Sequence, residues 1–224
     1  DYARCVDELK KMTNDNVDQI PRIVELIHKH RFTREFLPTW ALRHVEVWNT
    51  LLLSHDKTRV TMPITALVRN LGVMTERGVF NDVDVTNKVV AHLQNKEVIK
   101  RGRVHPVQMV LAWFTYEMGH GVKGKLRWET NNDILKALEA GFYVSFGNVQ
   151  KTGLNILHAL DASGSMSSYI AGLPLSALKA VVVMAMCFSR SEDPKTQKFG
   201  IFSSNGNNWS QNIGFKYVDM PNDS

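Results

Sequence analysis

Cysteine is almost missing from this chain of 224 residues: there are two, Cys5 and Cys187, far apart in sequence. Such a pair makes no redox motif, metal-ligand spacing or disulfide framework, and it points to a reducing intracellular compartment. Long apolar runs are missing as well. The longest, at 180–188, is far short of the roughly 18 residues expected of a membrane span and reads as a buried helix. No basic segment followed by an apolar one opens the sequence, so no secretory signal is visible. It starts at Asp1, and a piece of something longer is expected. Neither proline (7) nor glycine (14) is abundant, and 44% hydrophobic with 22% charged residues excludes wholly disordered, collagen-like and disulfide-scaffold classes. The length suits one large or two modest domains.

The net charge of +5 is unevenly placed. All of it falls in residues 1–152, while 153–224 are neutral. A basic excess confined to one part suggests an acidic partner such as RNA, although a charge this small also suits a solvated surface.

Apolar residues recur at helical spacing over 17–30, 40–53, 64–74, 85–93, 106–118 and 134–146, and no alternating strand interrupts them. Pro21 fits only a first turn, and His105-Pro106 places a proline at a first helical position. Asn131, Asn132 and Asp133 offer caps to the helix that follows, whereas Gly119 and Gly121 can end the one before. Six helices of 10 to 15 residues with short connections predict a HEAT-like helical repeat array. That reading comes from the order of elements, since no repeat motif is visible in the letters.

The pattern changes at Thr152-Gly153. A short apolar run at 155–160 stops at Asp161, small polar residues follow, then a helical segment at 173–189 and a second apolar run at 198–203. Strand, loop, helix, strand is the start of a parallel, Rossmann-like α/β sheet, whose ligands bind at the carboxyl ends of the strands, where Asp161 falls. The expected fold is mainly α, with a helical array at 1–152 and a partial α/β domain at 153–224.

Asp161, Ser163 and Ser165 are the most specific chemical signal. One carboxylate and two hydroxyls on a tight loop make a hard, oxygen-only site suited to Mg²⁺ or Mn²⁺. A single carboxylate leaves half the ion's charge unneutralised, so an anionic oxygen from a partner would complete the shell. The plainer alternative is an ordinary turn or helix cap. A nucleophilic serine fits less well, because neither serine sits in G-x-S-x-G.

Two basic stretches stand out. In residues 115–128 three glycines free the backbone, Lys123, Lys125 and Arg127 alternate so that they could share one side, and Trp128 offers a stacking surface for an unstacked base. A glycine-rich loop with solvated lysines is the alternative. Lys100, Arg101 and Arg103 cluster ahead of the helix at 106, where basic side chains clamp phosphates or merely face water. The eight histidines show no metal-ligand spacing.

The order of Met62-Pro-Ile-Thr-Ala-Leu-Val-Arg-Asn-Leu-Gly72, His105-Pro106, Gly119-His-Gly-Val-Lys-Gly-Lys-Leu-Arg-Trp128, Ile134-Leu-Lys-Ala-Leu-Glu-Ala140, Phe146-Gly-Asn148 and Leu160-Asp-Ala-Ser-Gly-Ser-Met166 resembles the Ro autoantigen family. Matching segments run from about 19 to 203. The resemblance implies a TROVE module, a ring of HEAT-like repeats, joined to a von Willebrand factor A-like domain. It implies binding of small non-coding Y RNAs and misfolded RNAs, with a single-stranded end in the ring's hole and duplex on its basic surface, in RNA quality control and survival after stress. By the same resemblance Asp161, Ser163 and Ser165 are the first ligands of a divalent metal. A threonine and an aspartate that would complete the site, and the first repeats of the ring, lie outside this sequence.

The expectation is therefore a non-enzymatic, RNA-binding ribonucleoprotein component. It would act as a monomer in the cytoplasm, with the nucleus left open, and Lys100, Arg101, Arg103, His120, Lys123, Lys125 and Arg127 are the candidate RNA contacts. The alternative is a metal-dependent protein-binding module that recognises an acidic residue of a partner through Asp161, Ser163 and Ser165.

Overall fold

The computed structural model describes residues 1–12, 16–53, 56–204 and 213–219. Among them are nine α-helices: α1 (Tyr2–Lys11), α2 (Ile20–His30), α3 (Val45–Leu53), α4 (Ile64–Glu76), α5 (Val83–Gln94), α6 (Lys96–Arg101), α7 (Pro106–Glu117), α8 (Asn132–Ser145) and α9 (Ala177–Ser191). Three strands, β1 (Ile156–Asp161), β2 (Gln197–Ser204) and β3 (Ile213–Val218), form one sheet. No helix among the described residues is long and apolar enough to cross a membrane.

The sequence signals for helix ends are used. Pro106 opens α7 behind His105, whose imidazole accepts from the Val107 N–H while the Gln108 side chain accepts from the His105 N–H, a reciprocal cap that satisfies two orphan donors. Asn131 caps α8 by accepting from the N–H groups of Asp133 and Ile134. Gly119, at φ 68°, takes the left-handed turn just beyond α7. The predicted helix at 17–30 begins as a 3-10 turn at Val17–Gln19 before α2, with Pro21 in the first α-helical turn.

α8 packs on α5, α6 and α7, α7 on α4, and α2 on α3. Leu67, Leu71, Met74, Val89, Leu93, Met109, Ala137 and Leu138 are wholly or almost wholly buried in one continuous cluster. Val183 and Cys187 of α9 belong to the same cluster, so the α/β segment is packed onto the helical array. Two cations strengthen that seam. Lys179 Nζ lies 4.9 Å from the centre of the Phe114 ring, and the Arg190 guanidinium lies over Tyr143 and Phe146. At the junction itself Glu192, 6% exposed, accepts from the N–H groups of Thr152 and Gly153, and these bonds hold its carboxyl below the usual carboxylate range.

β1 and β2 are parallel, with α9 as the crossover, and β3 adds antiparallel to the outer side of β2. The antiparallel third strand, Ile-Gly-Phe-Lys-Tyr-Val at 213–218, was not anticipated, although its β-branched and aromatic residues carry a strand signal. α9 covers one face of the sheet, where the His158 ring stacks on Phe199 and packs against Phe188. On the other face Leu157 and Tyr217 are 53% and 63% exposed.

Two helices escaped the sequence reading. α1 buries little besides Cys5 and Leu9, too few positions to show a period. α6 is short, and it moves Lys100 and Arg101 from the expected loop into a last helical turn, where cations favour the helix dipole. Arg103 follows with φ at 49°.

Candidate nucleic-acid interface and metal loop

The stretch from Gly119 to Trp128 folds back on itself. His120 and Arg127 form an antiparallel bridge, and the Trp128 N–H donates to the Gly119 carbonyl at 2.8 Å. Lys123 and Lys125 stand exposed at the tip and Arg127 exposed on the returning arm, while His120 is partly buried, 3.1 Å from the Gly121 carbonyl oxygen through Nδ1.

Trp128 is not the free stacking surface that its position suggested. Its indole N–H donates to the Tyr116 carbonyl at 3.0 Å, its ring lies parallel to Tyr116, and its six-membered ring rests on Gly72 of α4. A Cβ at residue 72 would meet that ring at 2.6 Å, so the missing side chain is what lets the indole seat. Tyr116 is itself buried, which raises its hydroxyl pKa. That hydroxyl pairs with Thr75 and accepts the Asn131 N–H. Trp128 thus anchors the basic loop to the helical core.

The other basic group is tied to the same helix. Gly102, just after α6, sits against Ile64 at the start of α4, where a Cβ would come within 2.6 Å of the Ile64 side chain. The two basic segments are therefore anchored on α4 at residues 64 and 72, about 12 Å apart along the helix axis.

Around the start of α4 lie two clefts that share Thr61, Met62, Pro63 and Thr65. Arg31, Arg34 and Arg69 line one of them, together with Asn70, and its single acid is Glu35. Arg59, Arg101 and His92 line the other; no acid is among its lining residues, although Asp56 behind it pairs with Arg59 Nε at 2.7 Å. Burial pushes the pKa of His92 down; a backbone bond at Met62 opposes this, and the charges of Arg101 and Arg59 add to the lowering. The N-terminus of α4 has Pro63 at its cap position and no side-chain cap bond. Uncapped N–H groups, a positive helix end and arginines on both sides make a setting for anionic oxygens.

Of these residues only Arg101 was among the sequence candidates. Arg31, Arg34, Arg59 and Arg69 come from three separate stretches and converge only in the fold. The nearest sequence signal, the pair Arg31 and Arg34 just past the end of α2, reads as an ordinary solvated loop.

Asp161 ends β1, and its Oδ1 accepts the Ser163 N–H at 2.8 Å. The hydroxyls of Ser163 and Ser165 are 3.2 Å apart. The fold thus brings the three sequence candidates together at the carboxyl end of a parallel strand. The bond from Ser163 to Asp161 is the local turn of the plainer alternative, and it also orients the carboxylate. An oxygen-only trio of one anion and two hydroxyls fits a hard divalent cation.

A helical array with basic clefts, packed onto a small mixed sheet whose first parallel strand ends in a serine-rich acidic loop, defines a class of helical-repeat protein with an α/β appendage. Residues 28–115 match the family model described as the TROVE domain. The chain is 40% identical over 181 residues to a protein of Caenorhabditis elegans named RNA-binding protein RO60, covering 81% of this chain and 27% of that protein. It is 34% identical over 171 residues to the protein of the same name from Deinococcus radiodurans, covering 75% and 31%. The crystal structure of the Deinococcus radiodurans RO (RSR) protein superposes with a TM-score of 0.70 at 31% identity, over 82% of this chain and 36% of that one. The chain belongs to the Ro family, and it spans about a third of the length of the relatives it matches.

Proposed function

We propose that this chain is the RNA-binding part of a ribonucleoprotein and holds small non-coding RNA, of the Y RNA and misfolded-RNA kind, for RNA quality control and survival after stress. The observation that carries the reading is the pair of arginine-lined clefts meeting at the uncapped start of α4, with the exposed Lys123, Lys125 and Arg127 anchored further along the same helix. Arginine offers fixed donor forks to phosphate, and binding of this kind is largely electrostatic, with shape and a free single-stranded end outweighing base sequence. The relatives named RNA-binding protein RO60 support the same partner. The chain would act by binding, without catalysis, as a cytoplasmic monomer.

The test is a mobility-shift titration over a salt series, using a hairpin RNA with and without a single-stranded 3′ tail. This chain and a version extended at both ends are compared. Tail-dependent binding that weakens steeply with salt is expected, and each lost phosphate contact should lower the log–log salt slope by about 0.7 to 0.9. Equal, weak binding of both RNAs by the extended protein would refute the reading.

The loop of Asp161, Ser163 and Ser165 favours a second activity in the same protein. These residues would hold Mg²⁺ or Mn²⁺, and the ion would supply a coordination position for an acidic side chain of a protein partner. Asp161→Ala should then abolish partner capture and leave RNA affinity unchanged. Partner capture that survives both the substitution and a chelator would remove this reading.

A further inference from the structure

Cys5 and His30 take no part in the surfaces described above, yet they meet in an arrangement with its own chemistry. Cys5 lies near the start of α1 and is 4% exposed; His30 is the last residue of α2. The Cys5 thiol is 3.4 Å from His30 Nε2. Asp1, at the cap position of α1, places one carboxylate oxygen 4.0 Å from the thiol and the other 4.0 Å from the same imidazole nitrogen. Among the described residues these three side chains form the one group of His, Cys, Asp and Glu ligand atoms that lie within 4.8 Å of one another.

We propose that Asp1, Cys5 and His30 form a binding site for a borderline-soft divalent cation of the Zn²⁺ kind, with one coordination position left to water. The spacing supports it. Bonds of about 2.3 Å to sulfur and about 2.0 to 2.1 Å to nitrogen and oxygen, at tetrahedral angles, put ligand atoms roughly 3.4 to 3.6 Å apart. The sulfur and nitrogen, 3.4 Å apart, already sit at the required distance. The two 4.0 Å separations belong to different Asp1 oxygens and the ligand atoms span up to 4.8 Å, so the exposed Asp1 side chain has to swing by roughly 0.5 to 1.4 Å to bring one oxygen to both partners.

The donor set selects the ion. A thiolate and an imidazole favour zinc over magnesium or calcium, which prefer oxygen, so this site and the Asp161 loop would take different metals. Binding releases the thiol proton to solvent, and the resulting thiolate and carboxylate balance the ion's two charges. Lys29, whose ammonium lies 3.1 Å from Asp1 Oδ2, has to give up that ion pair. Around the site, Tyr2 and Phe32 pack on the His30 ring at centroid distances of 5.9 and 5.4 Å and hold its orientation. The ligands join the first helix to the end of the second, so the ion would clamp α1 onto the array.

Cobalt makes a direct probe. The chain is stripped with a chelator and titrated with Co²⁺. One equivalent should bring up a thiolate-to-cobalt charge-transfer band together with the visible bands of a tetrahedral site, and Zn²⁺ should bleach both. Cys5→Ala should remove the charge-transfer band. His30→Ala should weaken binding by more than about tenfold, given that losing even an outer-sphere partner costs about 10- to 100-fold. Cys187→Ala, which removes the other buried thiol, should change neither. X-ray absorption of the zinc-loaded unmodified chain should show one sulfur neighbour and does not depend on any variant folding. Absence of that sulfur, or a charge-transfer band that survives Cys5→Ala, overturns the proposal.

Discussion

Gly72→Ala tests the account of how the basic loop is held. The new methyl would fall 2.6, 2.6 and 2.8 Å from three carbons of the Trp128 ring, about 1 Å inside the favourable carbon–carbon separation. The indole is not free to retreat, because its N–H is bonded to Tyr116 and its backbone N–H to Gly119. Overpacking of this kind costs about 1 to 3 kcal/mol, and the gain in helix propensity from glycine to alanine returns about 1. The net expectation is a loss of about 0 to 2 kcal/mol, or a few degrees in Tm for a chain of this size. The decisive measurement is a double-mutant cycle. Trp128→Leu alone should be destabilising, as a tryptophan truncation that also removes the indole donor from the Tyr116 carbonyl, which keeps the Gly119 N–H. In that background Gly72→Ala should change sign and stabilise by about 1 kcal/mol, since only the propensity effect remains. Urea unfolding followed by far-ultraviolet circular dichroism gives all four corners. Additivity within about 0.5 kcal/mol would refute the contact and with it the anchoring role assigned to Trp128.

Other expectations follow from the same contacts. Asn148 donates both to Ile99 O at 3.0 Å and to Val104 O at 2.9 Å, tying the end of α8 to the α6–α7 turn. Asn148→Ala leaves two carbonyls without that donor and should cost about 1 to 3 kcal/mol in urea unfolding. Glu192 has a lowered pKa in the folded chain, so its contribution is complete above the ordinary carboxylate pKa and is lost as pH falls through the lowered folded value. Glu192→Gln should flatten the acid limb of a stability–pH curve, and an unchanged acid limb would count against the junction bonds. Replacing Arg59 and Arg101 together with alanine should weaken binding of tailed RNA and lower the salt slope by about 1.4 to 1.8 if both meet phosphates; an unchanged slope would remove their cleft from the interface.

Much of the helical architecture was legible in the letters because its signals are local. The apolar period of α4, α5, α7 and α8, the proline at residue 106, the Asn131 cap and Gly119 act within a turn or two of chain, and each appears where the sequence placed it. The turn of Asp161, Ser163 and Ser165 was legible for the same reason: three polar side chains within five residues need only a strand end to bring them together.

What the sequence by itself determined is the order of the longer, strongly periodic helices, the passage from helices to strands after residue 153 and the local chemistry of single loops. The tertiary structure decided which side chains share a surface. It turned Trp128 from a candidate stacking platform into a packed anchor, because the partner that makes room for it, Gly72, lies 56 positions earlier. It gathered Arg31, Arg34 and Arg69 on one side of Met62-Pro63 and Arg59 with Arg101 on the other, and it brought Cys5 to His30 across 25 positions. Periodicity and capping report hydrogen bonds and burial within one element. Convergence of charge or of metal ligands depends on how elements pack, and that information is spread over the whole core.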